Sequence, residues 1–407
     1  MRMVPYRSQF DEVAALPPKG SEIVAPVTLH YADEPCSFKA AWRELEQNGH
    51  ATVFQSYRWA DTWCRKVATE RGERPFLVLA TDAAGKPLFL WPFSIRRTHG
   101  LAVLGWLGQE HASYNLGLYS VEPGCTPAAG EIWGLLKEAA RQHPELAAIH
   151  FTAQPQVWGG FENPFAGLPQ QDSPSPAFEL PLDTSFDRLY EASVSKQTRQ
   201  NIKRKQKKLE EIPGFAIAEA RTDVERLSLL DIYFAQKARQ LAEMGAPNVF
   251  ADPLIAEFYR DLAVAGPSGD AVYESHFARI GDAVVATANG IEHGGRYYLL
   301  TASLDDQSEH GKHSPGLVLF KEQIARLVAR GVSTYDFGVG DGRHKTSWSP
   351  ATVPLFETFV PLTAAGWAVT ALRAGTLFAK RTVKSNEALF AKAKLVRKLF
   401  ARGLKRE

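Results

Sequence analysis

The chain has 407 residues, of which 45% are hydrophobic and 23% are charged, and its formal net charge is +2. Such a composition is typical of a soluble protein with two domains or one large domain. The three cysteines are far apart, which excludes a disulfide framework or a cysteine metal site. A run of about 18 apolar residues, which a membrane-spanning helix requires, does not occur. The first twenty residues lack the apolar segment of a signal peptide, so we expect a cytoplasmic protein.

The first half of the chain predicts one mixed domain. Residues 1–30 are rich in proline and irregular, which indicates an N-terminal arm. Residues 31–182 form the first predicted domain, and its last part, 155–181, has the composition of an inter-domain connection. Its predicted elements are helices at 37–48, 57–68 and 126–142 and strands at 76–81, 87–95, 102–107 and 147–152.

The second half repeats this plan over residues 183–370. Helices, a β-meander, a helix and a strand follow one another in both halves, which predicts an α/β (α+β) fold with two similar domains. The sheets should be mixed, mostly antiparallel and flanked by helices. The predicted elements are helices at 185–192, 196–211, 223–243, 252–265 and 315–331, and strands at 215–220, 273–280, 283–292, 296–304 and 355–362.

The C-terminal residues 371–407 are predicted to form a basic amphipathic tail. Residues 373–407 carry eleven Lys or Arg and two Glu, a net charge of +9, which leaves −7 on residues 1–372. An apolar stripe begins near Leu389, and the basic residues mostly avoid it. We therefore expect residues 374–407 to bind an anionic membrane surface, with the protein peripheral at the inner membrane. The alternative is a helix that docks on the second domain.

The loop before the helix at 315–331 is a candidate anion site. It contains no carboxylate, and the start of a helix offers free N–H groups and a partial positive charge. The pattern suits a phosphate or a pyrophosphate, and an ordinary capped helix is the alternative. The residues concerned are Gly311, Lys312, His313, Ser314, Pro315 and Gly316.

The helix at 196–211 begins with a basic cluster. Its members are Lys196, Arg199, Lys203, Arg204, Lys205, Lys207 and Lys208. RNA binding is one interpretation. However, Glu210 and Glu211 follow at once, and no aromatic residues for base stacking are interleaved. We therefore favour a solvated helix face and do not expect a nucleic acid partner.

Several stretches, taken in order, carry a family resemblance. They are FQSYRWADTW, LFLWPFSIRR with LGWLG and SYNLGL, SKQTRQNIKRKQKKLE, YYLLTASLDD with SPGLVLFKEQI, and YDFGVGDGRHKTSW. The series resembles the bacterial CelD/BioF2-like acetyltransferases of the GNAT superfamily, which are linked to cellulose and exopolysaccharide synthesis and include ceramide-synthase-type relatives. It is also similar to the FemABX-type transferases, which are paired GNAT domains.

The resemblance implies two tandem GNAT-like domains, of which the second binds acyl-CoA or acetyl-CoA as donor without a metal. Residues 311–316 would face the pyrophosphate, and strand 296–304 would receive the pantetheine. HGKHSPG replaces the usual GNAT pyrophosphate signature at this place. The acceptor would be an amine on an envelope lipid or saccharide, such as a sphingoid amine or an exopolysaccharide amino sugar. The alternatives are a FemX-like aminoacyl-tRNA-dependent transferase and a non-catalytic binding protein of the same fold.

Amine acylation needs a base, donors for the oxyanion and neutralisation of the leaving thiolate. His313 is a candidate base because its ordinary pKa is near neutrality. Asp336 is either a base or a hydrogen-bond acceptor for the glycine-rich backbone that follows it. Lys345, in KTSW, resembles the lysine that stabilises charge at the reacting carbonyl in FemABX-type enzymes. The resemblance also implies that Lys196 and Arg199 bind a phosphate group of the donor or of the acceptor.

Overall fold

The computed structural model describes residues 27–108, 111–264, 266, 271–305, 307–340, 342–349 and 351–386. The strands are β1 (Thr28–Ala32), β2 (Gly49–His50), β3 (Arg74–Thr81), β4 (Pro87–Thr98), β5 (Leu101–Trp106), β6 (Leu118–Ser120), β7 (Leu146–Pro155), β8 (Val157–Trp158), β9 (Phe161–Glu162), β10 (Gln170–Asp172), β11 (Ala177–Pro181), β12 (Phe215–Glu219), β13 (Val272–Ile280), β14 (Ala283–His293), β15 (Arg296–Leu304), β16 (Thr334–Val339), β17 (Ala351–Val353) and β18 (Leu355–Pro361). The α-helices are α1 (Lys39–Asn48), α2 (Tyr57–Trp63), α3 (Ala129–Ala140), α4 (Phe186–Ser193), α5 (Lys196–Glu210), α6 (Asp223–Glu243), α7 (Pro253–Ala263), α8 (Pro315–Ala329), α9 (Arg343–Trp348) and α10 (Ala364–Ser385).

The first compact unit comprises the described residues from 27 to 174 and from 353 to 381. Its main sheet has the strand order β1-β3-β4-β5-β7-β18-β10. Strands β5 and β7 are parallel, whereas β3–β4, β4–β5 and β7–β18 are antiparallel. One face of the sheet is filled by stacked and edge-on aromatic rings. The rings at its centre belong to Trp91, Phe93, Trp106, Phe151 and Phe165.

The second compact unit comprises the described residues from 175 to 352 and from 382 to 386. Its sheet has the order β12-β13-β14-β15-β16-β11-β17. Helix α8 buries Leu319, Ile324 and Leu327 against small sheet residues such as Ala286 and Ala288. The small residues let the helix approach the sheet closely, and the remaining gaps are filled by large rings. This packing fixes where α8 begins, which matters for the site described below.

Both units contain a strand, a helix and a second strand parallel to the first. In the first unit they are β5, α3 and β7, and in the second unit β15, α8 and β16. All other strand pairs of known register are antiparallel, which gives the mixed, mostly antiparallel sheets that the sequence predicts. The predicted fold class, two similar α/β units with helices on their sheets, is confirmed.

The unit boundaries differ from the predicted ones at 182 and 370. Strand β11 lies in the predicted connection but pairs with β16 in the second unit, and β18 pairs with β7 in the first. The first unit also includes most of α10. Pairing between strands about two hundred residues apart leaves no local sequence signal, because each strand pattern is compatible with either sheet.

Both ends of the chain also differ from the sequence prediction where they are described. Residues 28–32 span the predicted boundary between the N-terminal arm and the first domain. They form β1, which pairs with β3. Helix α10 begins at Ala364, before the predicted tail, while the apolar stripe from Leu389 onwards lies outside the described residues. Within the described part of the chain, no helix combines the length and hydropathy needed to cross a bilayer.

Candidate functional site

Strands β15 and β16 of the second unit pair at one end only. The paired residues are Arg296 with Thr334, Tyr297 with Tyr335, and Tyr298 with Asp336. Beyond Tyr298, β15 continues along β14 and β16 continues along β11, so a gap opens between the two parallel strands. A bulge at Leu300 accompanies the separation, because Leu299 pairs with Gly290 and Thr301 with Asn289. The edge of β15 that faces this gap can accept an extended ligand as an additional strand.

The helix that follows β15 begins with its first turn uncapped. Ser314 has left-handed backbone angles (φ 50°, ψ 59°), and its side chain does not cap the helix. Pro315 is the first helical residue, and the first turn contains no acidic side chain. A Cβ atom added at Gly316 would meet only Leu304 Cδ1, at 3.9 Å, so open space adjoins this turn. Within this turn the N–H groups of Ser314 and Leu317 donate to the carbonyl oxygens of Gly311 and Ser314, which leaves the Gly316 N–H to meet an anion.

Cationic side chains surround the start of α8. Lys205 on α5 donates a hydrogen bond from its Nζ to Ser314 Oγ. Desolvation and neighbouring positive charges lower the pKa of His313, which favours the neutral imidazole at pH 7. The neighbours responsible are Lys312, Lys208, His310 and Lys205. The loop, α5 and the helix terminus together form a candidate site for an anion, which we call the α8 anion site.

Lys196 and Arg199, for which the family resemblance implies a phosphate contact, lie in the first turn of α5, on the N-terminal side of Lys205. They precede Lys205 by nine and six residues, which is about 14 Å and 9 Å of helical rise. Arg199 Nη1 donates to the carbonyl oxygens of Glu191 and Val194, at 2.8 and 2.6 Å, at the end of α4. A phosphate role for these two residues stays a prediction.

The sequence predicts Lys205 and Lys208 only as members of the basic cluster on a solvated helix face, and not as neighbours of the start of α8. Ile202 and Leu209 are the buried residues of α5. On a helix, position 205 lies on the same side as 202 and 209, so its side chain emerges beside the packed face. This periodicity was the signal that could have separated Lys205 from the rest of the basic cluster.

Asp336 lies at the point where β15 and β16 separate, and its side chain is only 1% exposed. Its Oδ1 accepts a hydrogen bond from the Gly338 N–H at 2.7 Å, and its Oδ2 lies 3.4 Å from Arg296 Nη1. Burial opposes the charge of Arg296, but Tyr298, Asp336 and Glu179 raise its pKa overall. These contacts match the second of the two roles considered for Asp336, since the carboxylate orders the glycine-rich backbone that follows it.

Lys345 lies on the short helix α9, which turns back onto the end of β16. Its Nζ donates to the carbonyl oxygens of Val339 and Gly338, at 2.7 and 3.2 Å. The turn needs glycine, because Gly338 and Gly340 have φ values of 69° and 108°. Trp348, at the end of α9, is buried and stacks on Tyr190 with ring centres 5.3 Å apart. The stacking holds α9, and hence the ammonium group, at the separated end of β16.

Among the described residues, Glu219, Glu274 and His276 come close enough together to hold a metal ion. His276 Nε2 already lies 3.1 Å from Glu274 Oε2, and Arg330 donates to Glu274. Burial opposes ionisation of Glu274, but His276 and Arg330 lower its pKa overall. The group therefore acts as an ion-pair network that joins the end of α8 to β13, and we assign no metal to it.

The comparisons with known proteins agree with this geometry. Residues 196–346 match the family model described as an acetyltransferase (GNAT) domain. This part of the chain is a GNAT-type acetyltransferase domain. It covers the gap between β15 and β16, the α8 anion site and Lys345, so all three belong to a GNAT acyltransferase unit. No curated protein matches the chain in sequence.

Solved structures extend the GNAT-like fold to both units. The crystal structure of FemX is similar with a TM-score of 0.54 and 11% identity, covering 84% of this chain and 99% of FemX. A conserved protein of unknown function from Bacteroides thetaiotaomicron is similar with a TM-score of 0.51 and 8% identity, covering 82% of this chain and 100% of that protein. At these identities the similarity shows the fold alone, a tandem of GNAT-like units.

Proposed function

We propose that the second unit transfers an acyl group from acyl-CoA or acetyl-CoA to an amine of a cell-envelope component. The observation that supports this proposal is that β15 and β16 separate after Tyr298, while Gly316 at the start of α8 lies beside Leu304 at the end of β15. Pantetheine carries amides that can pair with the free edge of β15, and its pyrophosphate would then reach the start of α8. A thermal-shift panel with CoA, acetyl-CoA and palmitoyl-CoA tests donor binding and separates an enzyme from a non-catalytic relative.

The roles of the side chains follow from the reaction. The neutral acceptor amine attacks the thioester carbonyl, a base removes the ammonium proton, and the thiolate leaves with a proton. We propose His313 as the base and Lys345 as the donor that stabilises the oxyanion, while Asp336 orders the glycine-rich turn. Lys312, with the backbone of Gly311 and of Ser314–Gly316, would hold the pyrophosphate.

The acceptor is proposed from the sequence resemblance to the CelD/BioF2-like family. An exopolysaccharide amino sugar and a long-chain sphingoid amine are the two classes that this resemblance implies. Lipid and polysaccharide profiling of a deletion strain distinguishes them, because the missing product identifies the acceptor. Loss of an N-acylated saccharide would exclude the sphingoid amine, and loss of a ceramide-type lipid would exclude the saccharide.

The acid limb of the kcat/KM profile, which reports groups of the free enzyme, should lie below the ordinary histidine pKa of 6.5, if His313 is the base. Its pKa is lowered, so the imidazole remains neutral as pH falls to 6.5 and becomes protonated only at lower pH. Steady-state kinetics across pH measure this limb. In His313→Gln the limb should disappear with a large loss of kcat, and an unchanged profile would remove His313 from the mechanism.

We further propose that α10 and the basic tail place the enzyme on an anionic membrane surface. On α10, the side chains of Trp367, Leu372 and Phe378 are 42%, 56% and 61% exposed. Exposed aromatic and aliphatic side chains on one helix are typical of interfacial helices. Basic residues of the same helix lie beside them and complement anionic headgroups. They are Arg373, Lys380, Arg381 and Lys384.

Trp367→Glu combined with Phe378→Glu should release the protein from vesicles of phosphatidylglycerol and phosphatidylcholine. The wild-type protein should bind more weakly at high salt but remain bound, since salt screens charges and does not weaken apolar burial. Cosedimentation measures both effects. Val224→Glu replaces another exposed apolar residue, on α6, and serves as the control. Equal binding by the double variant and the wild type would reject this role for α10.

A further inference from the structure

A cavity of about 480 Å³ lies within the first unit, between β4, β7 and α10. Cationic, imidazole and hydroxyl groups from three separate elements line it. They include Arg96, Thr98, His99, His150, Thr152 and Arg373. No carboxylate is among its lining residues in the described part of the chain. All its lining residues belong to the first unit, and none of the proposed reaction steps uses it.

The two arginines approach the cavity from opposite walls. Arg96 extends from β4 over Gly105 of β5, where a Cβ atom would lie 3.9 Å from Arg96 Nη2 and 3.3 Å from the His150 carbonyl oxygen. The glycine therefore leaves a flat path for the guanidinium across the sheet. Arg373 extends from α10 and is exposed to solvent, and within the described residues its guanidinium makes no ion pair or hydrogen bond.

The positive charges of Arg96 and Arg373 both act on the side chain of His150. Its side chain is 4% exposed, with Nε2 3.1 Å from Thr370 Oγ1 and its ring edge-on to Phe359. Desolvation, then Arg96 and Arg373, lower the pKa of His150 to about 4. Since both arginines act on the same buried ring, their charges lie close to the same inner end of the cavity.

One carboxylate partly offsets the positive charge of Arg373. Glu357 on β18 is buried, and it accepts a hydrogen bond from Ser173 Oγ at 2.7 Å and another from the backbone N–H of Ala153. Burial raises the pKa of Glu357, while Arg373 and Lys380 act in the opposite direction. Because the Glu357 carboxylate also accepts from Ser173 and Ala153, it offsets the charge of Arg373 only in part.

We propose that this cavity binds the phosphate group of a phosphate ester. Guanidinium groups recognise phosphate oxygens with two parallel hydrogen bonds, and threonine hydroxyls can donate to the remaining oxygens. Leu372 lines the same cavity and belongs to the exposed apolar side chains of α10, so the cavity opens next to an apolar surface. The phosphate comes either from a lipid headgroup or from a free phosphate ester, and the two sources are separated by experiment.

The test compares Arg96→Gln and Arg373→Gln with two matched controls. Arg97→Gln removes the same charge from the next residue of β4, and Lys137→Gln removes one from an exposed position of α3, yet neither residue lines the cavity. Circular dichroism and thermal unfolding establish that each variant is folded. Calorimetry with inorganic phosphate and glycerol 3-phosphate measures the free-ligand arm. Cosedimentation with phosphatidylglycerol-containing and pure phosphatidylcholine vesicles, without acyl-CoA, measures the lipid arm.

We expect each arginine variant to weaken binding about tenfold or more in one arm, with little change in the controls. A loss in calorimetry identifies a free phosphate ester, and a loss confined to phosphatidylglycerol vesicles identifies a lipid headgroup. Absence of binding in both arms overturns the proposal. Equal losses in the arginine variants and the controls also overturn it, because they would report non-specific attraction between charges.

Discussion

Gly316→Asp should abolish CoA binding and leave the fold intact. The new carboxylate would stand in the first turn of α8, where the proposal places the pyrophosphate. Two like charges about 5 Å apart at an effective dielectric constant of about 20 repel by about 3 kcal/mol, which is a factor of about a hundred in affinity. The same carboxylate is favourable to the helix itself by about 0.3–1 kcal/mol, so folding should not suffer. Calorimetry with CoA measures the affinity.

Two control substitutions at Gly316 separate charge from size. The asparagine side chain of Gly316→Asn has nearly the shape of the aspartate side chain but carries no charge. Gly316→Ala adds a Cβ atom that would meet only Leu304 Cδ1, at 3.9 Å. We expect both controls to bind CoA far better than Gly316→Asp does. If a folded Gly316→Asp protein binds CoA as the wild type does, the donor does not bind at the start of α8.

Lys345→Ala should lower kcat by about 10²–10³ and change donor affinity much less. A donor that contacts the oxyanion acts in the transition state, and loss of one such donor has this effect in other enzymes. Steady-state kinetics give kcat, and calorimetry with CoA gives the affinity. Lys203→Ala removes an equal charge from an exposed position of α5 and should leave kcat unchanged.

A purely structural role for Lys345 predicts a different pattern. Its Nζ donates to the carbonyl oxygens of Gly338 and Val339, so its loss could loosen the end of β16. In that case donor affinity, thermal stability and kcat would all fall together in Lys345→Ala. A fall in kcat with unchanged stability and affinity is the result that only the catalytic role explains.

The local part of the candidate site could be predicted from the sequence. Buried apolar periodicity, Pro315 at the first helical position and Gly331 after the last turn together define α8. The two roles considered for Asp336 could not be separated in advance, because the choice depends on whether the Gly338 N–H points at its carboxylate. That contact depends on the backbone turn after β16, and residue identities alone do not specify such a turn.

The long-range part could not be predicted. Lys205 reaches Ser314 across 109 residues, and His150 reaches Thr370 across 220 residues. Each contact requires two elements to pack in one particular orientation, and sequence periodicity describes only the face that one element buries. The cavity beside α10 was missed for this reason, although its arginines and histidines are visible in the sequence.

The position of β18 has a consequence for how the chain folds as it leaves the ribosome. The first unit cannot close its sheet until residues 355–361 have been synthesised, whereas every strand of the second unit has been made by about that point. Domains of nascent chains usually fold in order from the N-terminus. Here the later unit can complete its sheet first, and β7 stays an open edge throughout that interval. An open edge strand is a site for aggregation, so the nascent first half should depend on chaperones until β18 arrives.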